Sequence, residues 1–356
     1  MKALLAWEIG GGQGHLHLLA AIAQRLKFYE IECVFALQNP EIMGLNLPGK
    51  VLQAPLVNRR FLDDKNDDQS YLFTDILYIF GFSTPLIFKF HLQAWQNLIN
   101  LVKPSLIIAD FAPTLVLAAR GLVPTVVVGN GFCIPPPVAD FPAIRPLPVP
   151  TEAIRRQAEV LATVRRATGF DTSLGQLLNG DRTFIFSIPE LDPYKQARNQ
   201  AEYVGIHSAP FPQNLFHPEG KPWAYLDKTW HNYSLLVNTL KPECIFDDLK
   251  IVLQGKSLAI HHAGFITSVA CLLTGIPQMV FPKDLEKWHT AKALLNLGVA
   301  VSPSKPLTEA GLRDVFAHLP QITKNAQQQA KKFAYWNQNF LDKVIQVCLE
   351  LVTQPD

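Results

Sequence analysis

The chain has 356 residues, 48% of them hydrophobic and 17% charged, a composition typical of soluble globular proteins with room for two domains. The formal net charge is only +2 and the basic residues are scattered, which argues against a nucleic-acid-binding protein. The five cysteines form no CxxC pair and have no metal-ligand spacing, so the sequence predicts buried thiols in a reducing compartment.

The first half of the chain alternates between strand-like apolar runs and helix-length segments. After the first run, the segment HLHLLAAIAQRL places Leu18, Leu19, Ile22 and Leu26 on one helical face. The predicted strands in this half are ALLAWEI, CVFALQ, SLIIAD, TVVVGN and, further on, TFIFSI. This alternation predicts a parallel sheet with helices on both sides.

A stretch rich in proline and asparagine, 208–222, marks the predicted domain linker. The second half restarts with WAYL and continues with SLAIHH, the helix-like ITSVACLLTG and the strand PQMVF. A final segment from Asn325 has helical periodicity and more apolar surface than one small domain needs. We therefore predict an α/β chain with domains at 1–212 and 213–335, and a terminal helix, 336–356, that crosses back to the first domain.

No segment is predicted to cross a membrane. The N-terminus shows no signal-peptide cleavage site, and the apolar run ILYIFGFSTPLIF is shorter than the roughly 20 residues of a spanning helix and contains Pro85. We expect a cytoplasmic protein, with peripheral contact to a membrane surface left open as an alternative.

The first strand leads into GGGQGHLH, a glycine turn that ends at His15. The dinucleotide fingerprint GxGxxG fails here, because His15 stands where its third glycine belongs and the next strand ends in Gln38 and Asn39 instead of an acid. Ligands bind at the carboxyl ends of parallel strands, where an imidazole can act as a base near neutral pH. His15 as a helix-capping or packing residue is the alternative.

The strand SLIIAD ends in Asp110, which should lie at the same end of the sheet as His15. A carboxylate beside an imidazole can hold its tautomer and stabilise its charged form. We therefore predict that His15 and Asp110 lie within hydrogen-bond reach, directly or through one water, and form a catalytic pair.

Four segments of the chain resemble GT-B glycosyltransferases of families one and twenty-eight. GGGQGHLHLLAAIAQRL is similar to their amino-terminal GxGH signature, and LIIADFAPTLVLAARGLVPTVVV to their acid-bearing strand. AIHHAGFITSVACLLTGIPQMVFP and AKALLNLGVAVSPSKPLTEAGL resemble the donor-binding half, in the right order. The resemblance implies two Rossmann-like domains facing a cleft, as in a bacterial UDP-glycosyltransferase.

The resemblance also implies roles for individual residues. His15 corresponds to the base that deprotonates the acceptor hydroxyl, Asp110 to the acid that orients it, and His262 to a phosphate-contacting histidine. No cofactor or metal is implied, only a nucleotide sugar as co-substrate, with UDP or dTDP as the nucleotide. The implied donor-binding residues are Gly12, Gly14, His262, Gly264, Thr267, Ser268, Asp284, Glu286 and Lys287.

The donor half departs from the family pattern in several places. Ile266 and Ala270 stand where the family has a second glycine and a ribose-binding glutamate, and KDLEKW contains no glutamine. Only 35 residues separate Leu226 from His261, which predicts a shortened C-terminal domain that lacks about one βα unit of about 30 residues. For His262, a core histidine beside His261 is the alternative to phosphate binding.

The resemblance places the acceptor pocket in YLFTDILYIFGFSTPLIFKFHLQAW, which is strongly apolar and aromatic. Aromatic side chains there could stack on an apolar or lipid-like small-molecule acceptor, with Phe80, Phe82 and Phe132 as the predicted pocket residues. A buried helix pair and a membrane-docking segment are the alternatives.

Two functions of different class remain after these observations. The first is an inverting glycosyltransferase in which His15 is the base and the diphosphate leaves toward His262. The second is a non-catalytic GT-B-like partner or regulatory protein that has lost donor binding. A sugar-nucleotide epimerase is a third possibility, but the carboxylates that such enzymes usually use cannot be placed in this sequence.

Overall fold

The structure is a computed structural model that describes residues 1–39, 46–57, 70–213, 215–303 and 306–353. The chain divides into two compact units. One contains Met1–His207 together with Phe340–Asp356, and the other contains Ser208–Asn339. The division at His207 lies at the start of the predicted linker.

The first unit contains a six-stranded parallel sheet with the strand order β3-β2-β1-β4-β5-β6. Its strands are β1 (Lys2–Trp7), β2 (Glu32–Leu37), β3 (Lys50–Gln53), β4 (Leu106–Asp110), β5 (Thr125–Gly129) and β6 (Arg182–Ile185). The strand order reverses between β1 and β4, and ligands of open α/β sheets bind at such a switch point, at the carboxyl ends of the strands. The five strands predicted for this half are confirmed.

The helices of the first unit are α1 (Gly14–Lys27), α2 (Phe73–Leu77), α3 (Pro85–Val102), α4 (Pro113–Ala119), α5 (Thr151–Thr168), α6 (Leu174–Leu177) and α12 (Leu341–Thr353). Of these, α1, α4 and α12 contact the strands of the sheet, and α3 packs on α4 and α5. The apolar face predicted for α1 is buried, and β1 is buried on both sides from Ala3 to Trp7. A strand covered on both faces is what a parallel sheet between helix layers requires.

The apolar segment after residue 70 folds as α2, a π-helical turn (Tyr78–Phe82) and α3. Gly81 has a φ of +91° in that turn, and Pro85 begins α3, so the segment bends by 82°. No single described helix is long and apolar enough to cross a membrane, while Phe73–Phe82 and Pro85–Val102 meet that criterion only when taken together as this bent pair.

The second unit contains a four-stranded parallel sheet with the order β10-β9-β8-β7. Its elements are β7 (Trp223–Tyr225), α7 (Tyr233–Leu240), α8 (Leu249–Val252), β8 (Ala259–His261), α9 (Phe265–Thr274), β9 (Gln278–Val280), α10 (Leu285–Asn296), β10 (Ala300–Val301) and α11 (Glu309–Lys332). The three strands and the helix predicted for this half are confirmed, as β7, β8, β9 and α9.

Glu243 forms a single parallel bridge with Trp223, on the side of β7 opposite β8. The backbone bonds from Ala224 to Glu243 and from Glu243 to Pro222 hold it there, at 2.9 and 2.8 Å. After β7 the chain first pairs with one edge of that strand, through Glu243, and then forms β8 on its other edge. The strand order of this sheet therefore also reverses, between β7 and β8. This bridge lies in the stretch where the sequence predicts a missing βα unit, together with α7 and α8.

The segment from Asn325 does not form the single helix that the sequence predicted. Helix α11 ends at Lys332, a 3₁₀ turn follows at Ala334–Trp336, and α12 begins only at Leu341. The Asn337 side chain accepts a hydrogen bond from the Phe211 amide at 2.7 Å and donates one to its carbonyl at 3.0 Å. A side chain that pairs with another backbone segment holds the chain between the two helices, so periodicity alone missed the break.

Candidate functional site

The His15 and Asp110 side chains meet at the switch point of the first sheet. Trp7 and Asp110 are paired in register at the carboxyl ends of β1 and β4, and His15 lies in the first turn of α1. His15 Nδ1 is 2.9 Å from Asp110 Oδ1, and both residues are buried, with 8% and 1% of their surface exposed. The predicted hydrogen bond is therefore present. Because a carboxylate only accepts, the imidazole carries its proton on Nδ1.

Two glycines leave the space that this pair needs. A Cβ atom on Gly10, whose φ is +91°, would lie 2.9 Å from Phe111 Cδ1 and 3.2 Å from His15 Nε2. A Cβ atom on Gly129, whose φ is +148°, would lie 3.0 Å from Asp110 Oδ1. Glycine is required at both positions for its backbone conformation and for its missing side chain.

A row of buried aromatic rings continues from His15, and we call Trp7, His15, Phe111, Phe73 and Phe141 the aromatic row. Trp7 stacks on the imidazole at 5.2 Å between ring centroids, and Phe111 lies on it at 6.1 Å. Phe73 follows at 6.2 Å from Phe111, and Phe141 at 5.8 Å from Phe73. Sequence reasoning missed the three phenylalanines, although Phe111 directly follows Asp110.

The predicted acceptor-pocket residues lie in three different settings. Phe80 is half-buried in the π-helical turn, and Phe132 is 8% exposed in the loop after β5. Phe82 is wholly buried and packs on Phe88 at 4.6 Å between centroids, a core position. None of the three belongs to the aromatic row.

The glycine turn leaves its backbone accessible at the start of α1. Gly11, Gly12 and Gly14 are exposed, and a Cβ atom at any of them would meet no atom within 4 Å. Gln13, the N-cap residue, makes no capping bond with its side chain. The predicted donor contacts Gly12 and Gly14 therefore lie at a helix N-terminus of the kind that attracts anions.

His262 lies at the carboxyl end of β8, next to the end of β7. Its Nδ1 donates to the Phe281 carbonyl at 2.9 Å, and its Nε2 accepts the Asp227 amide at 3.0 Å. Burial lowers the pKa of His262, the Phe281 carbonyl opposes this, and Lys283 and Lys287 lower the pKa further. The ring is therefore neutral near pH 7, and both of its nitrogens are hydrogen-bonded within the chain.

His261 is the core histidine of this region. Its Nδ1 accepts the Ala263 amide at 3.1 Å, and its Nε2 donates to Gln278 Oε1 at 3.0 Å. Burial lowers the pKa of His261 to about 4, so it stays neutral. The role of a buried core histidine, considered from the sequence for His262, is filled by His261.

A charged pair stands beside His262 that sequence reasoning missed. Lys283 Nζ is 2.5 Å from Asp227 Oδ2, and the Thr229 amide and hydroxyl donate to Asp227 Oδ1. The bond from Lys283 is the first cause that holds the pKa of Asp227 well below its usual range. Trp230 packs edge-on against His262 at 5.6 Å. The available signal was the polar run DKT directly after the predicted strand WAYL.

The other predicted donor residues lie at the starts of α9 and α10. Asp284 caps α10 by accepting the Lys287 amide at 2.9 Å, and its carboxylate also pairs with the Lys287 ammonium. Glu286 is half-buried in the same turn. Gly264 is the N-cap of α9, while Thr267 and Ser268 are buried within that helix. Ala270, where the family has its ribose-binding glutamate, is wholly buried too.

The described residues contain no group of three or more His, Cys, Asp or Glu side chains that could hold a metal ion. Of the predicted residues, the structure brings together His15 with Asp110, and Asp284 with Lys287. It joins His262 to Asp227, which the sequence did not predict.

Comparison with known proteins identifies the fold. The sequence matches no protein-family model and no curated protein. Its structure is similar to the spinosyn rhamnosyltransferase SpnG, with a TM-score of 0.67, 14% identity, and coverage of 98% of this chain and 100% of that one. It is also similar to the glycosyltransferase VinC in complex with dTDP, with a TM-score of 0.64, 16% identity and 99% of each chain covered.

A third similar structure is Phytolacca americana UGT2 complexed with UDP-2-fluoro-glucose and pterostilbene. Its TM-score is 0.62 at 14% identity, with 98% of each chain covered. At such identities the likeness is one of fold. The chain has the α/β fold of GT-B glycosyltransferases over nearly its whole length.

Proposed function

We propose that this protein is an inverting glycosyltransferase that moves a sugar from a nucleoside diphosphate sugar to a hydroxyl group of an apolar acceptor. The observation that carries the proposal is the 2.9 Å hydrogen bond between His15 and Asp110 at the switch point of the first sheet. The similarity of the whole fold to glycosyltransferases also supports the proposal. UDP and dTDP are the proposed nucleotides, because similar structures contain them.

In the proposed reaction, His15 Nε2 takes the proton of the acceptor hydroxyl as its oxygen attacks the anomeric carbon. The bond between that carbon and the diphosphate oxygen breaks, and the nucleoside diphosphate leaves with the electron pair. One displacement of this kind inverts the anomeric centre. Asp110 keeps the proton on Nδ1, so that Nε2 is basic, and stabilises the imidazolium that forms.

The aromatic row supports an apolar or aromatic acceptor. Its rings are buried and contact one another in succession from His15 to Phe141, so the surroundings of His15 are apolar. Apolar and aromatic ligands favour sites with such a lining.

We propose that the donor diphosphate binds in the second unit, at His262, Gly264 and Thr267. A phosphate oxygen needs a hydrogen-bond donor, so His262 must release the Asp227 amide or gain a proton when the donor binds. The two lysines that act on His262 are already paired, Lys283 with Asp227 and Lys287 with Asp284. Donor binding therefore requires a local rearrangement.

A non-catalytic GT-B-like protein is the second candidate, and one observation favours it. Several groups predicted to bind the donor are already paired within the chain: His262 uses both ring nitrogens, and Asp284 pairs with Lys287. A protein that has lost donor binding would have this same arrangement.

A thermal-shift panel of UDP, dTDP, their sugar conjugates, ADP and GDP separates the two functions. The transferase predicts stabilisation by UDP or dTDP ligands, about 2.7 kcal/mol at a hundredfold excess over the dissociation constant. His262→Ala should remove the shift, and His318→Ala, which changes an exposed histidine of the same unit, should keep it. No shift with any nucleotide at millimolar concentration would favour the non-catalytic protein.

A further inference from the structure

Glu8 is a buried carboxylate at the end of β1, directly after Trp7. Since side chains alternate along an extended chain, Glu8 points to the face of the sheet opposite Trp7 and His15. It is 2% exposed, and its Oε2 accepts the amides of Thr114 and Leu115 at 3.0 and 3.3 Å. These amides belong to the first turn of α4, whose N-cap residue Ala112 provides no side-chain cap. Glu8 is thus the cap of α4.

The segment capped by Glu8 is the one that carries Asp110. The Ile9 amide donates to the Phe111 carbonyl at 3.1 Å, so the segment is bound to the end of β1 on both sides of Ala112. Phe111 has a φ of +46°, a left-handed conformation that costs a bulky residue about 1–3 kcal/mol. Such a conformation persists only where the surroundings impose it.

Asp110 has little else to orient its carboxylate. Its Oδ1 bonds to His15, and its buried Oδ2 has no hydrogen-bond partner among the described residues. The position of this carboxylate therefore follows the position of its backbone.

The carboxylate of Glu8 is not fully hydrogen-bonded. Its Oε1 accepts no hydrogen bond from the described residues, and His91 Nε2, which donates to the Pro55 carbonyl at 3.0 Å, is 3.8 Å away. Burial raises the pKa of Glu8, against the opposing effects of His91, the Thr114 side chain and the Leu115 and Thr114 amides. A buried carboxylate with incomplete hydrogen bonding costs stability. Capping α4 therefore does not by itself explain why a glutamate occupies this position.

We propose that Glu8 is a positioning residue of the His15–Asp110 pair. By holding the first turn of α4, it fixes the Asp110–Phe111 backbone so that Asp110 Oδ1 meets His15 Nδ1. The catalytic consequence rests on the proposed function, whereas the positioning itself does not.

The direct test is the proton resonance of the hydrogen-bonded His15 Nδ1–H, assigned by its loss in His15→Gln. Glu8→Ala should shift or abolish this resonance. Glu8→Gln, whose amide oxygen can still accept the Thr114 and Leu115 amides, should keep it. The matched control is Asp181→Ala, which removes another carboxylate that accepts a backbone amide, that of Thr125 at 2.7 Å, at the opposite ends of the strands.

A purely structural cap would lower the stability of Glu8→Ala and leave the His15 resonance unchanged, and that result would overturn the proposal. If Glu8→Ala does not fold, Glu8→Asp carries the test, because its carboxylate is one methylene too short to reach α4. A shifted resonance in Glu8→Asp supports the positioning role, and an unshifted one overturns it.

Kinetics provide a second readout once a substrate pair is found. Glu8→Ala should lower kcat up to about a hundredfold, since the acceptor base is displaced, and should leave the KM for the donor little changed, since the donor residues lie in the second unit. Asp181→Ala should change neither. If no substrate pair is turned over by the wild type, the proposed function fails while the resonance test still decides the role of Glu8.

Discussion

His15 and Asp110 are 95 residues apart in the chain, and they meet because the strand order puts β4 beside β1. Each residue lies close in sequence to the carboxyl end of a strand, and each packs against a glycine whose missing side chain leaves room for it. The Nδ1 proton held by Asp110 leaves Nε2 as the basic nitrogen. The proposed chemistry at the residue scale depends on this single bond.

Asp110→Asn tests that bond. The asparagine amide can present an N–H group to Nδ1 and stabilise the wrong tautomer, so transfer should fall about 10²- to 10⁴-fold. The measurement is kcat/KM, with Asp140→Asn, an exposed aspartate of the same unit, as the control. Wild-type activity in Asp110→Asn would remove the carboxylate from the mechanism.

Gly10→Ala tests the packing around His15. Both Gly10 and Gly121 have positive φ, so alanine strains the backbone at either position, by about 1 kcal/mol or more. Only at Gly10 does the added Cβ meet Phe111, at 2.9 Å. Urea unfolding should therefore show a larger loss for Gly10→Ala than for Gly121→Ala, and equal losses would contradict the close packing described here.

At the scale of the elements, most strands could be predicted because each is a buried apolar run. Strand β3 has the sequence KVLQ and is mostly exposed, and β10 has only two residues, so neither gives such a signal. The pair His15 and Asp110 was predictable from strand ends alone. The ring of Phe111 was not, because its direction depends on the left-handed backbone of the turn. The run DKT marked Asp227 at a strand end, but nothing in the sequence indicated that Lys283 would be its partner.

Strand β8 contains a histidine that makes the fold sensitive to acid. The folded-state pKa of His261 is about 4, against about 6.5 when unfolded, so the unfolded chain binds the proton first. Its contribution to stability is complete above pH 6.5 and is lost as the pH falls from 6.5 to 4.

By pH 5, this one group should reduce the free energy of unfolding by about 2 kcal/mol. The check is urea unfolding of the wild type and His261→Gln at pH 7 and pH 5. The variant is less stable at pH 7 because it loses a packed, hydrogen-bonded side chain, but it should lose about 2 kcal/mol less on acidification. The same acid sensitivity in both proteins would show that His261 is not buried in the neutral form.

At the scale of the whole molecule, each unit has a parallel sheet whose order reverses, with a histidine at the carboxyl ends of the strands beside the reversal. The histidines differ in their partners: His15 pairs with a carboxylate, and His262 with two backbone groups. This difference is consistent with the proposal that the base lies in the first unit.

The last helix, α12, packs in the first unit against α1, where Asp342 pairs with Arg25 at 3.4 Å. We propose that α12 is needed for the stability of that unit. Ile345→Ala, at a position only 2% exposed, should cost about 2–5 kcal/mol, and hydrogen exchange in α1 should accelerate. Ile251→Ala, at a position 62% exposed in the second unit, is the control and should leave α1 unchanged.

The central claim is glycosyl transfer with His15 as the base, and acceptor-dependent release of nucleoside diphosphate tests it most directly. The assay combines UDP- and dTDP-sugars with a panel of hydroxylated aromatic and lipid-like acceptors, using the wild type and His15→Ala. We predict release for at least one pair, reduced about 10²- to 10⁴-fold in His15→Ala, while the nucleotide-induced thermal shift persists. Release that is unchanged in His15→Ala, or no release with any pair and no nucleotide binding, would contradict the account.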